Sequence, residues 1–301
     1  MKNKQRMYQT MLMAATTIAL IGSHHANATE GGGSIYPNGA ENYMVGAVPP
    51  PGVYVLEYLS GYNASQLRDN SGNQVPVNFN LNVTAAATRA IWVTDQTLLG
   101  GQLAFHLIAP LVNLGVSVNG SGQTKSGLGD ITVGSALAYH ASENLHYLFA
   151  VDMNAPTGEY RQGDMANLGR NYWNIEPLFS MTYVQASGFN ADVKAMYDIN
   201  GINKATNYRS GQELHADYAL GWGFGNRLVA GVGGYVYQQV SDDTQAGNTV
   251  LSNRGRAFSI GPSVKYDNGK GWFITARYSK EFSVENRPEG SGFNVKMILP
   301  F

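Results

Sequence analysis

The chain has 301 residues, with 20 basic and 21 acidic side chains, 18 tyrosines, 36 glycines and no cysteine. The lack of cysteine excludes a disulfide framework and a cysteine-based zinc site. The near balance of charge argues against a nucleic-acid partner, which would require a clustered basic face.

The first residues have the pattern of a secretory signal. Three basic residues in the first six precede an apolar run at 11–21, and a small-residue cleavage site follows at 26–28. The run is too short to cross a bilayer as a helix. We therefore expect residues 1–28 to be removed, leaving 17 basic and 21 acidic residues, a formal charge of −4. No later apolar stretch approaches 18 residues, which excludes a helical inner-membrane protein.

Residues 29–51 are rich in glycine and proline and show no strand alternation. One alternative is a disordered periplasmic leader. The other is a segment that folds into a barrel lumen as a plug, with Tyr36, Tyr43 and Met44 among its apolar side chains.

From residue 52 onward, twelve segments alternate apolar and polar side chains, the pattern of β-strands with two different faces. The predicted strands are 52–63, 74–93, 100–117, 128–140, 145–154, 172–185, 189–199, 212–224, 227–240, 256–266, 271–283 and 292–301. Long connections are predicted at 64–73, 118–127, 155–171, 200–211, 241–255 and 284–291, and short ones lie between the others.

Outer-membrane barrels have an even number of strands, short periplasmic turns and longer external loops. With a periplasmic N-terminus, every long connection in this interpretation lies outside the cell. The sequence thus predicts an all-β protein, a 12-stranded antiparallel transmembrane β-barrel over 52–301. It would contact the lipid of the outer membrane of a Gram-negative bacterium.

Strand 74–93 is the irregular one. Its apolar side chains change parity before Ala90 and Trp92, and a bulge at 85–88 would produce that change.

The alternation also predicts which side chains face the lumen. An arginine or lysine facing lipid at mid-membrane costs about 2–4 kcal/mol, so charged residues are assigned to the interior. The predicted lumen-lining residues are Glu57, His106, Asp130, Asp152, Glu176, Asp192, Lys194, Asp198, His215, Asp217, Lys265, Arg277 and Lys296.

Three prolines, Pro110, Pro177 and Pro262, fall within predicted strands, where proline removes a ladder hydrogen bond. They could mark strand ends or bulges. Alternatively, one of them could lie beside a gap in the wall, through which a hydrophobic solute would leave sideways into the membrane.

The C-terminal segment alternates apolar and polar residues and ends on an aromatic one. It is similar to the recognition signal that barrel-insertion machinery reads, which makes that machinery an expected partner. The residues concerned are Phe293, Val295, Met297, Leu299 and Phe301.

The sequence contains two candidate enzyme sites. His140 and Ser142 share a face, as in a phospholipase-like Ser–His site, but have no obvious third partner. His215 and Asp217 share a face near an external strand end, where an outer-membrane protease would carry its catalytic pair. Polar pairs are also the ordinary lining of a barrel, so no catalytic residue, cofactor site or metal site is predicted.

Several segments resemble a known family. Residues 30–62 (EGGGSIYPNGAENYMVGAVPPPGVYVLEYLSGY), 98–101 (LLGG), 126–134 (SGLGDITVG), 155–160 (APTGEY) and 168–177 (LGRNYWNIEP) are similar, in this order, to outer-membrane transporters named for the meta-cleavage pathway of phenol degradation. The resemblance implies a barrel that admits hydrophobic or aromatic compounds.

We therefore expect a passive channel for small, hydrophobic or aromatic molecules. Twelve strands lie between filled eight-stranded barrels and open porins, so the pore should be narrow or partly obstructed. The alternatives are a barrel enzyme of the phospholipase or protease kind and a structural barrel that conducts nothing.

Overall fold

The computed structural model describes residues 30–300, so the predicted signal peptide and Phe301 lie outside the described residues. Sixteen strands are present in this range. They are β1 (Gly52–Leu67), β2 (Phe79–Leu98), β3 (Gly101–Val118), β4 (Ser121–Leu128), β5 (Ile131–His140), β6 (Leu145–Ala155), β7 (Asn174–Tyr183), β8 (Ser187–Asn200), β9 (Tyr208–Arg209), β10 (Glu213–Phe224), β11 (Leu228–Gln239), β12 (Asp243–Gln245), β13 (Asn248–Val250), β14 (Arg256–Asp267), β15 (Phe273–Glu285) and β16 (Pro288–Pro300).

Thirteen of these strands form one antiparallel sheet that closes on itself, because β1 pairs with both β2 and β16. Strands β4 and β5 both pair with β3 and together occupy one position in the wall. The wall therefore has twelve positions, which confirms the predicted 12-stranded barrel. Closure leaves no sheet edge around the ring, as a membrane-spanning sheet requires. Among the described residues, no helix is long and apolar enough to cross a membrane.

The connections follow the predicted alternation except at two external turns. The predicted loops at 118–127 and 284–291 are wrong. In their place, β3 and β4 are joined by Asn119-Gly120, and β15 and β16 by Asn286-Arg287. Asn119, Gly120 and Asn286 have positive φ angles, as tight turns require. The polar composition of both segments predicts loops, whereas these residues belong to strand ends that carry polar side chains on their outer face.

Strand β2 keeps one parity throughout, so the predicted bulge at 85–88 is wrong. Its register against β1 and β3 is continuous from Leu81 to Val93, and the irregularity lies between Val93 and Thr97. Leu81 and Val83 point inward, whereas Trp92, at 56% exposure, points to lipid. The two apolar sets therefore lie on opposite faces of a regular strand. The sequence pattern predicts a bulge only if both sets are assumed to face lipid.

The outer surface of the barrel is apolar where lipid is expected. Exposed aromatic and aliphatic side chains cover it on neighbouring strands, including Phe105, Phe149, Trp173, Trp222 and Tyr278. Towards the external ends of β2, β3 and β4 the outer face becomes polar, with Asn82, Asn113 and Ser126 exposed. This part of the wall extends beyond the apolar belt.

Glu57 is a correction to the predicted lumen lining. Its neighbours on β1 face the interior, since Leu56 is buried and the Tyr58 hydroxyl donates to Glu41 at 2.9 Å. Glu57 therefore points outward, where the Thr88 hydroxyl donates to its carboxylate at 2.9 Å. The prediction assumed that every charge must avoid lipid, but a carboxylate costs less than lysine or arginine there.

Candidate functional site

The lumen contains the described part of the N-terminal segment, residues 30–51. At one end, the Asn203 side chain donates to Glu30 at 2.7 Å, beside the loop between β8 and β10. At the other end, the Gly46 N–H donates to Thr182, next to the opposite end of β7. The segment thus runs along the length of the barrel interior.

Asp217 of β10 is the main anchor for this segment. Its carboxylate accepts from the Tyr36 hydroxyl at 2.6 Å, the Gly39 N–H at 2.7 Å and the Glu41 N–H at 2.8 Å. Tyr43 is 1% exposed and packs against Ala219 and Val229. The half-buried Met44 lies with its sulfur 3.4 Å from the Lys265 ammonium.

Charged side chains cross the lumen at the level of Glu41. The Lys296 ammonium donates to Glu41 at 2.7 Å, and the Arg89 guanidinium lies 3.3 Å from the same carboxylate. His106 and Asp152 form a second contact nearby, at 2.8 Å between Nε2 and Oδ1. We call Glu41, Arg89, Lys296, His106 and Asp152 the charged belt.

The charged belt separates two cavities. The larger, about 610 Å³, lies on the external side, and the smaller, about 80 Å³, lies on the periplasmic side. Both are bounded by Glu41 and Asp152, so a solute in the larger cavity meets the belt before it reaches the smaller one.

The larger cavity has two chemically different walls. One wall is aliphatic and consists of inward side chains of β2 and β3, namely Leu81, Val83, Ile108, Val112, Leu114 and Val116. The other is polar and carries Tyr58, Tyr62, Arg170, Glu281 and Arg287. The cavity therefore fits a small molecule with an apolar body and a hydroxyl or other polar group.

The strand pairing in the wall of the larger cavity is interrupted at one place, which we call the break, although the Gly129 N–H still donates to the Pro110 carbonyl there at 2.9 Å. The pairing of β3 with β5 stops at Ile108, and that with β4 begins at Leu111, so Gly129 and Asp130 lie outside both strands opposite Pro110. The Asp130 carboxylate accepts the N–H groups of Gly158 at 2.9 Å and Arg170 at 2.7 Å, which ties the long β6–β7 loop to this place.

Each of the three prolines has an interrupted ladder on one side. Pro177 pairs with β6, but the β7–β8 register skips from Ile175 to Leu178. Pro262 pairs with β11, but the β14–β15 register skips from Ile260 to Ser263. Only at Pro110 does the neighbouring strand itself end, and there the break borders the larger cavity.

The remaining predicted lining residues, Glu57 apart, point inward. Asp130 borders the larger cavity, and the others are buried side chains of the strands. Those strand residues are His106, Asp152, Glu176, Asp192, Lys194, Asp198, His215, Asp217, Lys265, Arg277 and Lys296. Of the C-terminal set, Phe293 is 47% exposed, and the side chain of Leu299 and the whole of Phe301 are outside the described range.

Sequence reasoning missed several functional side chains. Arg89 was not named, although a lipid-facing Ala90 and Trp92 already imply that it points inward. Glu41 was missed because no strand pattern surrounds it. Glu281 lies within a correctly predicted strand but was not named, and Arg287 was assigned to the predicted loop 284–291, which is a tight turn instead.

Neither candidate enzyme pair is assembled as such a site. The Ser142 hydroxyl accepts the N–H groups of Asn144 and Leu145, and Nδ1 of His140 lies 2.8 Å from Nδ1 of His146. His215 contacts Asp198 at 2.9 Å, while Asp217 is engaged by the N-terminal segment.

The external loops are held together by a buried carboxylate. Asp243 of β12 accepts from the Tyr208 hydroxyl and the Gly211 N–H, both at 2.6 Å, and from Gln239 at 2.7 Å. Burial raises the pKa of Asp243, although these donors oppose the shift. Strands β9, β12 and β13 form a small sheet around this residue.

Comparisons with known proteins agree with this architecture. The model of the family described as "Putative MetA-pathway of phenol degradation" matches residues 64–297. The chain belongs to this family. No curated protein sequence matches it.

A solved structure shows the same fold. The COG4313 outer membrane channel from Pseudomonas putida F1 superposes with a TM-score of 0.72 at 18% identity, covering 86% of this chain and 98% of that one. The translocator domain of the autotransporter NalP from Neisseria meningitidis gives 0.48 at 12% identity over 85% and 91%. The TodX monoaromatic hydrocarbon channel gives 0.44 at 12% over 87% and 91%. The last two alignments are too loose to carry an argument.

The family and the fold confirm the predicted resemblance and the outer-membrane barrel. They make this chain an outer-membrane protein of the Gram-negative type.

Proposed function

We propose that the protein is a passive outer-membrane channel for small hydrophobic or aromatic molecules, and not an enzyme. The observation that carries this proposal is the larger cavity with its aliphatic wall on β2 and β3. Apolar side chains facing the interior of a barrel lower the free energy of an apolar solute by removing its surface from water. A channel for ions or sugars would have no use for such a wall.

The description of the family as a pathway of phenol degradation points to the same substrate class. The polar wall adds a further restriction. Tyrosine hydroxyls and two arginines suit a solute that carries one hydroxyl or carboxylate, as a phenol does. Outer-membrane lipid and barrel-insertion machinery belong to this proposal as partners.

A pair of variants on neighbouring residues of β3 tests the aliphatic wall. Val112 lines the cavity, whereas Asn113 is exposed on the outer face. Val112→Glu should slow entry of an apolar aromatic probe into cells by about tenfold or more, because a charge in an apolar site strongly disfavours apolar ligands. Asn113→Glu should leave entry unchanged. Equal rates in both variants would contradict a route through the cavity.

We also propose that the N-terminal segment is a plug and that hydrophobic solutes leave sideways. The charged belt opposes the passage of an apolar solute towards the periplasm, since its ion pairs would have to open. The break at Gly129 and Asp130 borders the cavity, and opening of the Gly129–Pro110 hydrogen bond would give the solute access to the membrane, which is a favourable solvent for such a molecule. Pro110 supports a break there because it has no N–H to leave unpaired.

Cross-linking tests the sideways route. A Cβ at Gly127 of β4 would lie 3.1 Å from the Leu168 side chain of the β6–β7 loop. Joining Gly127→Cys to Leu168→Cys would fix the loop to the wall beside the break, and the chain has no other cysteine. We expect slower entry of the apolar probe, restored by reductant, and unchanged ion conductance. Full entry in the cross-linked form would rule out this exit.

A further inference from the structure

Four acidic side chains form a row across the lumen near the external ends of four neighbouring strands. Asp152 lies opposite Glu176 in the β6–β7 register, and Asp198 lies opposite Glu213 in the β8–β10 register. All four are at most 3% exposed. Like charges directly opposite each other in a sheet are destabilising, and burial away from water increases the cost.

His215 lies against the middle of this row. Its Nε2 atom is 2.9 Å from Oδ2 of Asp198 and 3.8 Å from Oε2 of Glu176. One ligand atom from each of Glu176, Asp198 and His215 can be chosen so that all three lie within 4.8 Å of one another. An ion about 2.1 Å from each ligand atom holds such atoms up to about 4 Å apart, so small side-chain rotations would complete the set.

The surroundings hold the carboxylate in place for such a role. The Asn174 amide donates to Oδ1 of Asp198 at 2.8 Å, which leaves Oδ2 directed at the imidazole. Hydrogen bonds of this kind orient the carboxylate ligands of metal ions. Asn174 is itself completely buried and also donates to Asn200, so its orientation is fixed.

One carboxylate oxygen at the end of the row, Oε2 of Glu213, has no hydrogen-bond partner within the described chain and is 0% exposed. A buried polar atom without a partner is consistent with an unseen ion or water beside it. The imidazole of His215 faces the row with Nε2, so Nε2 is the atom that would bind an ion there. The N-terminal segment covers the group, with the Tyr36 ring 5.3 Å from the His215 ring.

We propose that Glu176, Asp198 and His215 bind one divalent transition-metal ion in the lumen, beneath Tyr36. One imidazole and two carboxylates suit Zn²⁺, Mn²⁺, Fe²⁺ or Co²⁺, whereas Cu⁺ prefers thiolates and thioethers. The ion would add positive charge between Glu176 and Asp198, in a row that already has Lys194 and Arg287 nearby. This proposal does not depend on the channel function.

Co²⁺ provides the test because its visible absorption reports its ligands. The full mature chain is refolded in detergent with and without Co²⁺, and folding is checked by heat-modifiable migration in electrophoresis. The wild-type protein should retain one Co²⁺ per chain after gel filtration. His215→Gln and Glu176→Gln should each refold, since neither substitution adds charge. Both variants should lose the ion, because each removes one of its ligands.

The matched control removes a competing pair of imidazoles. His140 and His146 are paired across β5 and β6 at the periplasmic end of the lumen, with their Nδ1 atoms 2.8 Å apart. His140→Ala with His146→Ala should keep the ion if the proposal is correct. Loss of Co²⁺ in this control but not in His215→Gln would overturn it. The proposal would also be overturned if the refolded wild-type protein retained no Co²⁺. In that case a proton shared between the Glu176 and Asp198 carboxylates would take the place of the metal ion.

Discussion

Deleting residues 31–48 is expected to raise the ion conductance of the barrel several-fold. These residues fill the lumen from the external loops to the level of Thr182, and a twelve-position barrel without them has room for an aqueous path. Conductance in planar bilayers measures the change. A correctly folded deletion with the conductance of the full chain would show that the segment does not obstruct the pore.

A point variant distinguishes displacement of the N-terminal segment from removal of its residues. A Cβ at Gly46 would lie 2.8 Å from the Met181 Cα and the Thr182 backbone nitrogen, which cannot move without distorting β7. Gly46→Val should therefore displace the segment and raise conductance. Ala47→Val is the neighbouring control, because it adds two methyl groups to a residue that already has a side chain, and we expect a much smaller change.

Breaking the charged belt is expected to have the largest effect on stability. Lys296 is 2% exposed and donates to Glu41, so Glu41→Gln leaves a buried ammonium without its carboxylate. Removing one partner of a buried ion pair typically costs about 3–5 kcal/mol. We expect Glu41→Gln to lower the free energy of unfolding in detergent by about 3 kcal/mol by that argument.

A double-variant cycle isolates the pair. Glu41→Gln combined with Lys296→Met removes both charges and should recover most of the loss, because a buried ion pair can often be replaced by uncharged groups at little cost. Asp242→Asn breaks the exposed pair with Arg254 and should lower the free energy of unfolding far less than Glu41→Gln does. Additive effects of the two belt variants would show that their charges do not interact.

The barrel could be predicted because its period-two pattern is local to each strand. Phe149, Val151 and Met153 alternate with the buried Asp152 and Asn154, and such a pattern fixes both the strand and its two faces. Strand number and most lumenal charges follow from it. The prediction failed at β4 and at the β15–β16 turn, where the outer face leaves the apolar belt and the alternation is between polar residues.

The site could be predicted only in part. Asp217 and Lys296 were placed in the lumen by parity, but their partner Glu41 belongs to a segment without periodicity, so the charged belt depends on tertiary contacts alone. The aliphatic wall could not be predicted, for a different reason. Leu81 and Val83 look lipid-facing to any rule that places apolar residues outside, whereas here they line a cavity.

The most direct test of the proposed function compares two rates in one preparation of the full chain. Ion conductance is measured in planar bilayers, and entry of an uncharged aromatic fluorophore is measured in porin-deficient cells that produce the protein. A plugged channel with an apolar cavity predicts low conductance together with faster fluorophore entry than in cells without the protein. High conductance with no gain in fluorophore entry would contradict the account, because it would describe an open aqueous pore that does not admit hydrophobic molecules.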